Sequence, residues 1–228
     1  MLDIKNAAAA APVKKVPFAV SEAYKNIRTN LVSILARQGN KVIAVSSPNA
    51  SDGKSTTAIN TAISLSQLNK KVILIDADAH RPSLHSKLRL DNKNGLMDVI
   101  NGITDIDGTV KKYNTYLDIL TVGNIPQNPT EVFDSVGFDG FLTAAKEKYD
   151  YVIIDTPPVN LLSDASIISQ KCDGLVLVVR VGITTHSMLK RSLSALKMLD
   201  INIIGIILNG TGNTSKRYYK DYYKAYKK

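Results

Sequence analysis

Residues 41–68, KVIAVSSPNASDGKSTTAINTAISLSQL, read as a strand, a loop and a helix in succession. The apolar run at residues 41–47 marks a strand buried on both faces. Gly53, Lys54, Ser55 and Thr56 then open a helical pattern through residues 57–68, and strand–loop–helix is the setting a phosphate-binding loop requires. Each residue type has a physical role there. Backbone N–H groups at a helix start receive phosphate oxygens, Gly53 permits close approach, Lys54 brings charge, and the Ser55 hydroxyl suits Mg²⁺. Ser51, Asp52 and Thr56 complete the expected ATP-binding stretch. The ordinary pattern has a glycine where this chain has Pro48, so the loop is expected to begin differently. Taken alone, such a tripeptide at a helix start could equally be a simple turn.

Outward from this stretch, apolar runs recur at Val72–Asp76, residues 117–122, Tyr151–Asp155, residues 175–181 and residues 203–208. Segments long enough for helices separate most of them. This alternation predicts an α/β fold: a doubly wound, mostly parallel sheet flanked by helices. Such sheets bind ligands beyond the carboxyl ends of their strands, so strand-terminal residues are the first candidates. In ILIDADAHRP, residues 73–82, Asp76 and Asp78 leave one strand on the same side. Carboxylates near phosphates hold Mg²⁺ or accept a proton, although aspartates here could simply cap a turn. In YVIIDTPP, residues 151–158, Asp155 ends its strand as the magnesium-organising carboxylate of phosphate-loop enzymes does.

At 228 residues and 44% apolar content, the chain can bury one substantial core. No apolar run approaches the roughly 18 residues a membrane helix needs, and a cytoplasmic protein is expected. The single cysteine, Cys172, and the scattered His80, His85 and His186 show no metal-ligand spacing. A net charge of +9 suits an anionic partner: nucleic acid, an acidic membrane face or nucleotide phosphate. Residues 1–19 read as a flexible leader, 20–212 as the phosphate-loop domain and 213–228 as a tyrosine-rich tail. Within the domain, residues 20–38 form an amphipathic helix for which Ser21 is the expected N-cap.

The segments GKST, IDADAHRP and IIDTPP resemble the Walker A, A′ and B motifs of bacterial tyrosine kinases, regulators of capsule and exopolysaccharide synthesis within the partition-ATPase-like phosphate-loop superfamily. The resemblance covers essentially residues 20–228, including SEAYKNIRTNL near the start and GLMDVINGI at residues 95–103. It implies an ATP- and Mg²⁺-dependent autokinase. Lys54 would neutralise the β and γ oxygens, Ser55 would bind Mg²⁺, Asp155 would hold it through water, Asp76 would orient and deprotonate the phenol, and Asp78 would lie near the metal. Asn209, ending IILN, would contact adenine. Glu22, Lys25 and Arg28 match the family's oligomerisation motif, with lysine where arginine is usual; an ordinary solvated helix-surface pair is the plainer reading. The family further implies a ring-like homo-oligomer, a membrane adaptor whose cytoplasmic tail activates the kinase at the inner face of the membrane, and a cognate tyrosine phosphatase.

Partition and division-site ATPases share the fold and motifs, but carry a signature lysine where this chain has Asn49. A switch ATPase of that kind, or a non-catalytic nucleotide-binding scaffold, are the alternatives. The tail, KRYYKDYYKAYKK at residues 216–228, has a net charge of +5 and holds Tyr218, Tyr219, Tyr222, Tyr223 and Tyr226. At i+4 spacing these tyrosines could pack as a helical stripe, and with the lysines they could stack on single-stranded nucleic acid. The family resemblance instead implies that they are the phosphoacceptors, with no stable nucleic-acid partner. Each phosphate would add about −1.5 to −2, so five would reverse the tail's sign.

Overall fold

A computed structural model describes residues 17–38 and 41–211. Seven strands form one sheet: β1 (Val42–Ser46), β2 (Val72–Asp76), β3 (Lys111–Asn114), β4 (Leu117–Leu120), β5 (Tyr151–Asp155), β6 (Gly174–Arg180) and β7 (Ile203–Asn209). Their order is β3-β4-β2-β5-β1-β6-β7, and every pairing is parallel except that of β3 with β4. The chain passes from β1 to β2 by skipping one place, which β5 later fills. The carboxyl ends of β1, β5 and β2 thus lie side by side, which is what positions the site.

Strands β1, β2 and β4 are buried along their whole length, so their side chains feed cores on both faces. On one face Leu31 and Leu35 of α1 (Phe18–Gln38) meet Ala58, Ala62 and Leu65 of α2 (Lys54–Ser66), with Ile43, Val45 and Leu74 beneath. On the other, Phe133 of α6 (Pro129–Asp134) and Phe138, Phe141 and Leu142 of α7 (Val136–Lys148) pack with Ile168 of α8 (Asp164–Gln170) over Ile73, Ile75 and Ile154. Leu196 of α9 (His186–Met198) covers Leu175 and Leu177. Three short helices, α3 (Leu84–Leu88), α4 (Leu96–Ile100) and α5 (Ile106–Thr109), lie between β2 and β3. The GLMDVINGI segment is architectural: the buried Asp98 accepts N–H bonds from Gly95 and Asn124, tying α4 to the end of β4.

One expectation needs correction. Ser21 is not an N-cap: α1 starts at Phe18, and the Ser21 N–H already donates to the Pro17 carbonyl. Proline suits a helix start because its fixed φ is helical and the N–H it lacks would have no partner there. Strand β3, KKYN, had no apolar run to announce it. It is a half-exposed antiparallel edge whose Lys112 side chain reaches solvent, while Lys111 turns in to the Asn94 carbonyl. Among the described residues, no helix is long and apolar enough to cross a membrane.

Candidate active site

The phosphate loop solves the problem posed by Pro48 with backbone turns and one carboxylate. Ser51 and Gly53 take positive φ values of 67° and 102°. The buried Asp52 carboxylate accepts the Asn49 N–H at 3.0 Å, and the Ser47 hydroxyl donates to the Asn49 carbonyl at 2.7 Å. Glycine is required at 53 on two counts. Its φ disfavours any side chain, and an added Cβ would lie 2.1 Å from Asn209 Nδ2. Asn209, at the end of β7, donates from that same nitrogen to the Asp52 carbonyl at 2.8 Å, and Arg180, at the end of β6, donates to the Ser51 carbonyl at 2.8 Å. The ends of two strands therefore hold the loop open at the start of α2.

Three strand-end carboxylates gather round Lys54. Its ammonium lies 2.7 Å from Asp78 Oδ2, 3.7 Å from Asp155 Oδ1 and 3.5 Å from the Ser55 hydroxyl. Burial alone would lower its pKa, but Asp155, Asp78 and Asp76 outweigh that and hold it above the ordinary lysine value. Asp155 is fully buried, and neither oxygen has a hydrogen-bond partner. Desolvation pushes its pKa up to about 7, against the pull of Lys54. Asp76 is equally sealed: Oδ2 accepts the N–H groups of Ser83 and Leu84, both at 2.9 Å, and Oδ1 accepts that of Asp78. Burial raises its pKa as well, while these bonds oppose the rise.

Beyond this floor opens a cavity of about 560 Å³ lined by Gly53, Lys54, Ser55, Thr56, Asp78 and Asn209 among others. Ser51 lines it too, whereas Asp52, Asp76 and Asp155 stand behind the lining. Nothing in the sequence reading assigned Arg180, His80, Arg81, Lys87 or the apolar Pro158, Leu161 and Leu162, all of which line it. Arg180 ends a strand, so the strand-end rule could have found it. His80 Nε2 sits 3.0 Å from Asp164 Oδ2, and Asp164 Oδ1 accepts the Thr130 hydroxyl at 2.6 Å.

No three His, Cys, Asp or Glu side chains among the described residues cluster as a metal cage. Magnesium does not need one, since it keeps several waters and takes few protein ligands beside a nucleotide. The Ser55 hydroxyl, the Asp78 carboxylate and the Asp155 oxygens, which accept no hydrogen bond, fit a hydrated divalent cation held together with phosphates.

Glu22, Lys25 and Arg28 lie apart from the cavity on α1. Lys25 pairs with Glu22 at 2.7 Å, and Arg28 turns onto α2, donating to the Ser64 carbonyl at 2.8 Å. The five tail tyrosines fall outside the described residues.

Residues 40–200 match the AAA domain family. Among curated proteins, the chain is 37% identical to the tyrosine-protein kinase YwqD of Bacillus subtilis over 83% of this chain and 81% of that one. It is 34% identical to the tyrosine-protein kinase CpsD of Streptococcus agalactiae, over 88% and 87% of the two chains. Among solved structures, the kinase domain of the Escherichia coli tyrosine kinase ETK superposes with a TM-score of 0.80 at 29% identity, covering 83% of this chain and 75% of that one. A phosphate loop with three strand-end carboxylates round its lysine, on this sheet order and with these relatives, identifies the chain as a member of the bacterial tyrosine-protein kinase family, with a nucleotide-binding cavity at the switch point of its sheet.

Proposed function

We propose that this chain transfers the γ-phosphoryl group of Mg-ATP to tyrosines of its own tail, Tyr218, Tyr219, Tyr222, Tyr223 and Tyr226, from one copy to another. The observation that carries the nucleotide half of this reading is Asp155, a fully buried carboxylate whose oxygens accept no hydrogen bond and have only the 3.7 Å ion pair of Oδ1 with Lys54. Such a group is costly unless a ligand completes it. The acceptor half is supported by the kinase relatives and by Asn49, which leaves the partition-type lysine position without a cation.

In the transfer, the bond from Pγ to the ADP oxygen breaks, a bond from the phenol oxygen to Pγ forms, and the phenol proton leaves to a carboxylate. Positioning and charge neutralisation supply most of the rate, so little base strength is needed. Lys54 neutralises the β and γ oxygens, and the N–H groups opening α2 receive phosphate. Asn209 holds the loop through Asp52 and contacts the base. A bound Mg²⁺ would supply charge neutralisation on the phosphates, held by Ser55 and Asp78, with Asp155 behind. Asp78 faces the cavity; Asp76 is the proton acceptor the family motif suggests, and the Ser83–Leu84 segment that caps it must loosen before a phenol reaches it. Assembly through Glu22, Lys25 and Arg28, activation by a membrane adaptor's cytoplasmic tail, reversal by a phosphatase and a role in polysaccharide export complete the proposal.

The test is incubation of the full chain with labelled ATP, Mg²⁺ and an activator tail, followed by phosphotyrosine mapping. Label is expected within residues 218–226. ATP hydrolysis that leaves those tyrosines bare would favour the switch-ATPase reading.

A further inference from the structure

The Arg81 and Lys87 side chains on the His80–Lys87 wall of the cavity have no part in the chemistry above, and no group among the described residues neutralises them. Among the described residues, neither the Arg81 nor the Lys87 side chain forms an ion pair or hydrogen bond, and both are exposed in the cavity lining. The other cations there are committed: Lys54 to Asp78 and Asp155, Arg180 to the Ser51 carbonyl. Between the two free ones stands Ser83, whose hydroxyl oxygen is sealed from solvent, has no hydrogen-bond partner and belongs to the same lining. A sealed polar atom without a partner calls for an explanation, and a bound ligand is one.

We propose that Arg81, Lys87 and Ser83 form a phosphotyrosine subsite: a tail that already carries one phosphate docks it here and presents its next tyrosine to the cavity floor. This rests on the kinase reading above. The placement follows from the backbone. The Arg81 N–H donates to Asp78 Oδ1 at 2.9 Å while Asp78 Oδ2 takes Lys54, and the Ser83 N–H donates to Asp76 Oδ2 at 2.9 Å. The segment is thereby fastened to both carboxylates of the acceptor side, one step beyond the lysine that meets the transferring phosphate. A guanidinium fork and an ammonium suit a dianionic phosphoaryl group. The unmodified tail, at +5, is repelled by the same charges. Its tyrosines include two adjacent pairs, Tyr218-Tyr219 and Tyr222-Tyr223, so one phosphate leaves a free hydroxyl next door. The first transfer is then slow and later ones faster. The chemistry of each remains Pγ to phenol oxygen, with ADP leaving and the proton passing to a carboxylate.

The experiment uses the full chain with all five tail tyrosines replaced (Tyr218→Phe, Tyr219→Phe, Tyr222→Phe, Tyr223→Phe, Tyr226→Phe), so that it cannot label itself. Peptides of residues 214–228, unmodified or phosphorylated on Tyr219, are titrated by fluorescence anisotropy in the presence of ADP. The phosphopeptide is expected to bind about tenfold tighter. Arg81→Ala with Lys87→Ala should bring the two peptides to parity, and Lys87→Glu should favour the unmodified basic one. Equal affinities for the unsubstituted subsite would overturn the proposal. So would full competition by inorganic phosphate at the phosphopeptide's own concentration, or a loss in the double variant that falls on ADP affinity instead. With labelled ATP and activator, the phosphopeptide should be labelled faster; labelling of neither peptide would sink the kinase reading, while the binding titration still judges the subsite.

Discussion

At the floor of the cavity three carboxylates crowd one buried ammonium, whereas at its rim the Arg81 and Lys87 side chains stand in solvent with no ion pair among the described residues. The two regions meet at Asp78, whose carboxylate takes Lys54 on one side and the Arg81 N–H on the other. The floor is sealed by the sheet, so burial pushes the Asp155 and Asp76 carboxyls up, while the carboxylates round Lys54 hold its ammonium above the ordinary lysine value. The rim is wet, and its charges act on whatever arrives from outside. The difference separates two tasks: the floor is built for charge that changes during a reaction, the rim for charge that selects a partner.

Breaking the floor should have the largest effect. Lys54→Met removes the buried cation that pairs with Asp78 and Asp155 and should lower phosphotransfer by about 10³-fold or more, read from label incorporation. Asp155→Asn should cost about 10–100-fold, as loss of an outer-shell metal partner does. The same substitution has a signature in the nucleotide-free protein. Because the folded pKa of Asp155 is raised from 3.8 to about 7, the folded state binds more protons than the unfolded one within that window. Its contribution to stability is therefore fully present below pH 3.8 and is lost as pH rises to about 7. The melting temperature of Asp155→Asn should fall less steeply across that range than that of the unsubstituted protein.

Away from the floor the effects shrink. Gly53→Ala, strained by its φ and by contact with Asn209, should destabilise the loop by about 1–3 kcal/mol, seen in denaturant midpoints and in weakened ADP binding. Arg28→Ala, which loses the bond to the Ser64 carbonyl, should cost about 1 kcal/mol. Lys25→Ala breaks only an exposed pair and should cost a few tenths of a kcal/mol at most. Light scattering on the last two separates α1's packing on α2 from any part in assembly.

The floor was legible in the sequence because each of its residues ends, or follows the end of, a strand that reads as an apolar run. Residues 41–47, Val72–Asp76 and Tyr151–Asp155 announce themselves by burial on both faces, and the rule that ligands sit past carboxyl ends picks out Lys54, Asp78 and Asp155. That Asp76 is capped by Ser83 and Leu84 depends on how the chain turns after the strand, which no spacing rule encodes. At the rim, Arg81 lies within IDADAHRP and Lys87 in the short helix beyond it, and exposed cations there have no periodicity to mark them. Strand β3 escaped for a related reason: an edge strand half in water needs no apolar run.

Mixing two variants, each inactive alone for a different reason, tests the central claim most directly. Lys54→Met keeps the tail but loses the donor floor, whereas the five-phenylalanine chain keeps the floor but loses every tail acceptor. Combined with labelled ATP, Mg²⁺ and activator, the mixture should place phosphate on tyrosines 218–226 of the Lys54→Met chain. No label in the mixture, under conditions where the unsubstituted protein labels itself, would contradict transfer between copies.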